Sequence, residues 1–310
     1  CRGTAGRRAV ALAPSPPYGL RPHRCAVAAG RQSPYLAGMD FTDDQIDRYA
    51  RHLVLPEVGE DGQRKLLDSS VLVVGAGGLG APLLTYLAAA GVGRIGVVDD
   101  DRVDLSNLQR QVIHDTDAVG TPKVDSAAKR MRALNPEVTV EPHDRRLSRA
   151  GLIELIRGYD LVADGSDNFA TRYLLNDACY LAGRTLVSAA IMRFDGQLAT
   201  FKAHADPHGP CYRCVFGPQP ADPKQSCADV GVLAMLPGVM GSLQATEVAK
   251  ELIGMGESLS GKLLLYDALA TQFRRINTAK DPACPLCGET PSIRDLSEQD
   301  YGETAPFCAA

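Results

Sequence analysis

Residues 71–101 constrain the fold more than any other part of the chain. Four apolar residues, 71–74, predict a strand that is buried on both faces. A glycine-rich turn over residues 75–80 follows, then a helix that ends at Gly91, and then a second strand over residues 94–98. This order is typical of a nucleotide-binding βαβ unit. It predicts an α/β fold with a doubly wound, mostly parallel, Rossmann-like sheet.

The same unit predicts a nucleotide site. Glycines let the backbone approach a phosphate group closely, and the helix that follows offers it unpaired N–H groups. The glycines in question are Gly75, Gly77, Gly78 and Gly80. Asp99 ends the second strand, where a carboxylate can accept hydrogen bonds from ribose hydroxyls. The alternative is a buried βαβ unit that has no ligand.

The segment after the second strand favours a triphosphate over a nicotinamide dinucleotide. Asn107 and Arg110 lie in the sequence DLSNLQRQ (residues 104–111), and Lys123 starts a later helix. Cations beside a phosphate chain stabilise the charge on a departing pyrophosphate, whereas hydride transfer needs no fixed Arg and Lys here. We therefore expect ATP, in a site without the P-loop motif. An NAD-dependent oxidoreductase is the alternative.

A second acidic group follows a later predicted strand, residues 160–163. Asp164, Ser166, Asp167 and Asn168 precede a predicted helix that begins at residue 169. Ligands of open α/β sheets bind at the carboxyl ends of strands, and Mg²⁺ prefers one or two carboxylates with phosphate oxygens and water. Asp167 is therefore a candidate Mg²⁺ ligand, and Asp164 either assists it or fixes the loop. Alternatively, Asp167 only caps the helix.

Two CxxC pairs predict a metal site. Four thiolates at this spacing form the ligand set of a tetrahedral Zn(Cys)₄ centre, and the four are Cys211, Cys214, Cys284 and Cys287. The long interval between the pairs means that the metal would attach the C-terminal segment to the body. Disulfides and a redox-active CxxC pair are less favoured alternatives. Cys179 is expected in the core, and Cys227 in an exposed polar segment.

These motifs together resemble the MoeB/ThiF/HesA family over about residues 41–288. They are the glycine turn, DLSNLQRQ, the sequence GTPK (residues 120–123), and Ser166-Asp167-Asn168. The resemblance implies ATP-dependent adenylation of the C-terminal Gly-Gly carboxylate of a ubiquitin-like sulfur-carrier protein, with release of pyrophosphate. The molybdopterin-pathway carrier, MoaD-like, is the first expectation, and a ThiS-like carrier for thiamine biosynthesis the second. A non-catalytic binding protein is disfavoured, because every expected triphosphate-contacting residue is present.

The resemblance also implies roles for single residues. Asp167 matches the aspartate of the family's TDN motif, with Ser166 in place of Thr, and would hold Mg²⁺. Arg51 matches an arginine that reaches the triphosphate of a neighbouring subunit, which implies a homodimer. Spacing alone favours a solvated basic face for Arg48 and Arg51. Cys227 matches a cysteine that joins covalently to the carrier in some relatives. Arg51, Arg110, Lys123 and Asp167 are the predicted catalytic set.

The chain is predicted to have one main domain. Residues 1–38 contain six Arg but no Asp, Glu or Lys, and we expect a disordered or non-native leader, with a transit peptide as the alternative. Residues 39–290 are predicted to form a single adenylation domain, and residues 291–310 a tail. The nucleotide-binding half of this domain is predicted at about residues 69–190. Its carrier-binding and zinc part, with additional strands, is predicted at about residues 191–290.

Local patterns predict further elements. A single helix is expected over residues 41–67, with Thr42 as its N-cap, and Ser148 is expected to cap a helix that ends at residue 157. Residues 230–246, a long uncharged run, are predicted to form a buried helix pair, because Pro237 and Gly238 interrupt them. Additional strands are predicted over residues 185–191, 197–202, 262–266 and 271–277.

Bulk properties narrow the class of partner. The formal net charge is −4, and all six leader arginines lie outside the predicted domain, so nucleic acid is not an expected partner. The uncharged run of residues 230–246 is too short to cross a membrane. We expect a cytoplasmic protein. No sulfurtransferase-like segment follows the second cysteine pair, so a separate sulfur donor protein is expected.

Overall fold

The computed structural model describes residues 40–220 and 231–301. The predictions for the leader, for Cys227 and for residues 302–310 of the tail therefore lie outside the described residues. The division of residues 39–290 into two functional parts stays a prediction.

The described residues form an eight-stranded sheet in the order β3-β2-β1-β4-β5-β6-β7-β8. The first five strands in this order are parallel: β1 (Ser70–Val74), β2 (Arg94–Asp99), β3 (Thr139–Asp144), β4 (Leu161–Asp164) and β5 (Thr185–Met192). The other three are antiparallel to their neighbours: β6 (Asp195–Phe201), β7 (Lys262–Asp267) and β8 (Gln272–Asn277). This sheet confirms the predicted α/β fold with C-terminal strands added.

Helices cover both faces of the sheet, as expected when parallel strands are buried. Their bounds are α1 (Asp43–Leu53), α2 (Gly59–Asp68), α3 (Gly80–Ala90), α4 (Lys123–Leu134), α5 (Leu152–Arg157), α6 (Phe169–Ala182), α7 (Tyr212–Phe216) and α8 (Leu236–Ile253). One apolar core contains residues of α3, α4 and α8, and a second contains residues of α5, α6 and α7. Every residue of β1 is buried between them.

Three local predictions require correction. The helix expected over residues 41–67 is two helices, α1 and α2, with Pro56 between them, because proline cannot donate within a helix interior. Thr42 is nevertheless the N-cap of α1, in a capping box with Gln45. Ser148 does not cap α5, whose N-cap is Gly151 in the left-handed conformation.

The third correction concerns the uncharged run. Within its described part, residues 236–246 do not form a helix pair but belong to the single helix α8, with Pro237 in the first turn. Proline is tolerated there, because the first-turn N–H groups have no intrahelical acceptor. Among the helices within residues 40–220 and 231–301, none is both long and apolar enough to cross a bilayer.

Candidate functional site

The glycine turn connects β1 to α3 at the carboxyl edge of the sheet. Gly75 has a φ of +95°, and its N–H donates to the Val98 carbonyl at 2.8 Å. A Cβ at Gly80 would overlap the Gly75 carbonyl oxygen. Both positions therefore require glycine, one for its backbone angle and one for its lack of a side chain.

Two side chains hold the turn at Ala76. The Ala76 N–H donates to Asp99 Oδ2 at 2.7 Å, and His114 Nε2 donates to the Ala76 carbonyl at 2.9 Å. Burial lowers the pKa of His114 despite the opposing hydrogen bond to Ala76. A neutral ring that donates through Nε2 accepts at Nδ1, where Ser126 Oγ lies 2.9 Å away. His114 is a positioning residue that no local pattern indicated.

The turn leaves main-chain donors free. Within the described chain, the N–H groups of Gly77 and Gly78 have no hydrogen-bond acceptor. Helix α3 begins directly after them, and its N-cap, Leu79, supplies no side-chain hydrogen bond. Free N–H groups at a helix N-terminus can bind phosphate. Phosphate binding is the role that the sequence predicts for this turn.

The predicted triphosphate-binding segment packs against the turn. A Cβ at Gly78 would lie 3.7 Å from Arg110 Cγ, and a Cβ at Gly77 would lie 3.6 Å from Gln111 Nε2. The Arg110 guanidinium donates to Asn107 Oδ1 at 2.8 Å. Gln111 is buried, and its Oε1 has no hydrogen-bond partner. Gln111 is therefore a further candidate ligand-binding residue, although the sequence drew attention only to Asn107 and Arg110.

Lys123 lies at the start of α4, near the carboxyl end of β2. Its Nζ is 2.7 Å from Asp101 Oδ2, and its side chain is 6% exposed whereas that of Asp101 is 59% exposed. Burial raises the pKa of Asp99, and the charge of Lys123 opposes this effect. Asp99 Oδ1 also accepts from the Asp101 N–H at 2.9 Å. The structure thus places Lys123 and Asp99 within electrostatic reach of each other.

The loop after β4 lies against the glycine turn, because a Cβ at Gly75 would be 2.9 Å from the Gly165 carbonyl oxygen. Asp164 is completely buried. Its Oδ1 accepts from the Ser166 N–H at 2.9 Å and from Ser166 Oγ at 2.6 Å, and its Oδ2 accepts from Ser188 Oγ at 2.8 Å. These three hydrogen bonds engage both carboxylate oxygens of Asp164 within the protein, so Asp164 fixes the loop.

Asp167 is exposed on that loop. The N-cap of α6 is Asn168, whose Oδ1 accepts from the Thr171 N–H at 2.8 Å. The alternative that Asp167 only caps the helix is therefore wrong. Its carboxylate is available to a metal ion at the sheet edge where the glycine turn lies.

Arg51 stands apart from these residues within one chain. It is exposed in the last turn of α1, and Arg48 on the same helix donates to the Leu134 carbonyl at 3.0 Å. Among residues 40–220 and 231–301, no hydrogen bond or ion pair connects Arg51 with the predicted nucleotide-binding residues. Its predicted role toward a neighbouring subunit stays a prediction.

The four predicted zinc ligands converge. The Sγ atoms of Cys211 and Cys214 are 3.8 Å apart, those of Cys211 and Cys284 3.6 Å, and those of Cys214 and Cys287 3.4 Å. A tetrahedral zinc with Zn–S bonds of about 2.3 Å requires sulfurs about 3.8 Å apart. All four thiols are free, and these separations are too long for disulfide bonds. The cluster fits a zinc ion.

A buried ion pair attaches this cluster to the nucleotide-binding part. Arg213, between two of the cysteines, donates to both carboxylate oxygens of Asp177 on α6, at 2.8 and 2.6 Å. Tyr301 Oη donates to the same carboxylate at 2.6 Å. These bonds satisfy the buried charge and connect α6 with the C-terminal segment.

Comparison with known proteins places these features in one family. The model of the ThiF family matches residues 49–286. A sulfur carrier protein adenylyltransferase of Thermus thermophilus is 52% identical over 84% of this chain and 98% of that protein. The SAMP-activating enzyme E1 of Haloferax volcanii is 52% identical over 84% of this chain and 95% of that protein.

Two further comparisons extend these matches. Adenylyltransferase and sulfurtransferase MOCS3 of Sus scrofa is 53% identical over 84% of this chain but only 57% of that protein. The crystal structure of E. coli MccB with ATP has a TM-score of 0.68 at 22% identity, covering 77% of this chain and 74% of that chain. At this identity the structural similarity shows the fold alone.

Replacing Gly80 with Ala should destabilise the domain by about 1–3 kcal/mol, because the new methyl group overlaps the Gly75 carbonyl. Gly77→Ala is the matched control, since its methyl group would have no neighbour closer than 3.6 Å. Urea unfolding of both variants measures the difference. Equal unfolding free energies would show that the turn relaxes around Gly80 and needs no glycine there.

Removing the metal from the cysteine cluster should unfold the C-terminal segment, since structural zinc contributes about 10 kcal/mol of folding free energy. Cys284→Ser should abolish the expected one zinc per chain and lower the melting temperature. Cys179→Ala is the control, because Cys179 is buried outside the cluster. Elemental analysis that finds no zinc in the purified wild-type chain would contradict this prediction.

Proposed function

The chain belongs to the ThiF family, and we propose that it uses ATP to adenylate the C-terminal Gly-Gly carboxylate of a ubiquitin-like sulfur-carrier protein. Pyrophosphate is the second product. The observation that carries this proposal is the 52% identity with the Thermus thermophilus sulfur carrier protein adenylyltransferase, over 98% of that protein. The free donors of the glycine turn and the adjacent cations provide the matching chemistry.

Adenylation of a carboxylate requires no general base from the protein. The attacking carboxylate is already a nucleophile, so the site must hold it in line with the α-phosphorus and stabilise the departing pyrophosphate. The N–H groups of Gly77 and Gly78 and the side chains of Arg110 and Lys123 would bind the phosphates. Asp99 would accept the ribose hydroxyls.

The Lys123–Asp101 ion pair suits this task. Lys123 is buried, whereas Asp101 is mostly exposed. When a triphosphate replaces Asp101 as the partner of Lys123, the freed carboxylate is already hydrated and needs little new solvation. The buried ammonium group keeps an anionic partner in both states. Arg110, held by Asn107, is similarly oriented before the nucleotide binds.

Two metals belong to the proposal. Asp167 would hold Mg²⁺, which would neutralise charge on the phosphates during the transfer. Zn²⁺ would bind Cys211, Cys214, Cys284 and Cys287 and stabilise the fold, because a closed Cys₄ shell has no position for a substrate. The acidic group of Asp99, Asp100 and Asp101 is not assigned a metal.

The carrier and the assembly complete the proposal. A MoaD-like carrier of the molybdopterin pathway is the first choice, and a ThiS-like carrier of thiamine biosynthesis is the alternative. Arg51 would act on the neighbouring subunit of a homodimer, and Cys227 is a candidate covalent thiol. Adenylation supplies no sulfur atom, so the proposal also requires a separate sulfur donor protein. We place the reaction in the cytoplasm, where thiols stay reduced.

ATP–pyrophosphate exchange by the full 310-residue chain tests the function. We expect exchange that depends on a carrier, and the more effective of a MoaD-like and a ThiS-like carrier identifies the pathway. Asp167→Ala should reduce the rate at least about 100-fold, because charge stabilisation of this kind accounts for that much. The control Asp117→Ala removes another exposed carboxylate and should leave the rate unchanged.

No exchange with either carrier, from folded zinc-containing protein, would contradict the proposed function. NAD binding would then be the next measurement. Exchange that survives in Asp167→Ala at the wild-type rate would keep adenylation but remove Asp167 from the catalytic set.

A further inference from the structure

Arg172 is a buried cation in the N-terminal part of α6. It is 7% exposed, and within the described residues it forms no ion pair. Its Nη2 donates to the Ser166 carbonyl at 2.7 Å, and its Nε has no partner. Buried arginines are normally paired with carboxylates, because an uncompensated buried charge is costly. The position of Arg172 therefore points to a role for its contact with Ser166.

Every polar group of Ser166 is bound. Asp164 Oδ1 accepts from both the N–H and the Oγ of Ser166, and Arg172 Nη2 donates to the Ser166 carbonyl. Asp164 is itself fixed at the end of β4, since its carbonyl accepts from Gln244 Nε2 at 2.8 Å. Ser166 is thus clamped between the end of the strand and the helix.

Asp167, the next residue, depends on this clamp. Its exposed carboxylate forms no hydrogen bond with any residue that the structure describes. Asn168, which follows it, is fixed by its capping bond to Thr171. Since no side-chain hydrogen bond within residues 40–220 and 231–301 orients Asp167, the backbone on its two sides determines where its carboxylate lies.

We propose that Arg172 is a positioning residue for Asp167. By holding the Ser166 carbonyl, it fixes the backbone from which the Asp167 carboxylate reaches Mg²⁺ and the phosphates of ATP. Arg172 touches no reacting atom in this scheme. The inference rests on the proposed function, because adenylation with Mg²⁺ and ATP is what gives Asp167 its task.

Three variants of the full chain test this role. Arg172→Met keeps the apolar stem but removes the donors, Arg172→Lys keeps the charge and one donor group, and Ser260→Ala is the control. The Ser260 hydroxyl is also buried without a partner, and Ser260 forms a backbone bridge with Thr200 instead of contacting the loop that carries Asp167. The measurements are Mg²⁺-dependent ATP binding, carrier-dependent ATP–pyrophosphate exchange and the melting temperature.

We expect Arg172→Met to raise the Mg²⁺ concentration for half-maximal exchange about 10–100-fold, as the loss of a group that orients a metal ligand does. The KM for the carrier should not change. Arg172→Lys should show a smaller shift than Arg172→Met, and Ser260→Ala should match the wild type. A purely structural role would lower the melting temperature and the amount of active protein without moving the Mg²⁺ dependence.

A wild-type Mg²⁺ dependence in folded Arg172→Met would overturn the inference. If that variant does not fold, an unshifted Mg²⁺ dependence in Arg172→Lys overturns it instead, and a shifted one supports it. A wild-type chain that binds ATP with Mg²⁺ but shows no exchange would contradict the proposed function alone. The inference would then be decided by the Mg²⁺ dependence of ATP binding in the same variants.

Discussion

The contact between two loops at the carboxyl edge of β1 and β4 is the constraint on which the site depends. Gly75 and Gly165 approach so closely that a side chain on Gly75 would meet the Gly165 carbonyl. The first loop offers free main-chain donors, and the second carries Asp167. Because β1 and β4 are adjacent and parallel, their loops meet at one edge, and the free main-chain N–H groups and the exposed Asp167 carboxylate become neighbours.

Buried polar groups near this edge act mainly on the backbone. His114 and Asp99 hold Ala76, and Asp164 and Arg172 hold Ser166. A hydrogen bond inside a protein is stronger electrostatically than one in water, so these bonds can restrain both loops. The residues predicted to contact ATP thereby receive fixed positions before the nucleotide binds, which lowers the entropy that binding must remove.

The sequence predicted the groups that local spacing defines. Glycines before a helix and two CxxC pairs are recognisable without a structure, because neighbouring residues carry the whole pattern. His114 and Arg172 were missed, since each acts through a partner outside its own element. Gln111 was missed because only its buried oxygen without a partner distinguishes it. The error at Ser148 has a related cause: a serine resembles an N-cap wherever it precedes a helical pattern, but the chain turns at Gly151 instead.

Helix α6 connects the loop that carries Asp167 with the cysteine cluster. Near its N-terminus Arg172 holds the loop that carries Asp167, and further along Asp177 binds Arg213, which lies between two residues of the cysteine cluster. Breaking a buried ion pair of this kind is costly, because the remaining charge stays without a partner. A metal that fixes the cysteines therefore also restrains the helix on which the catalytic loop depends. In the proposed function, zinc would serve catalysis through the fold, without contact with the reacting atoms.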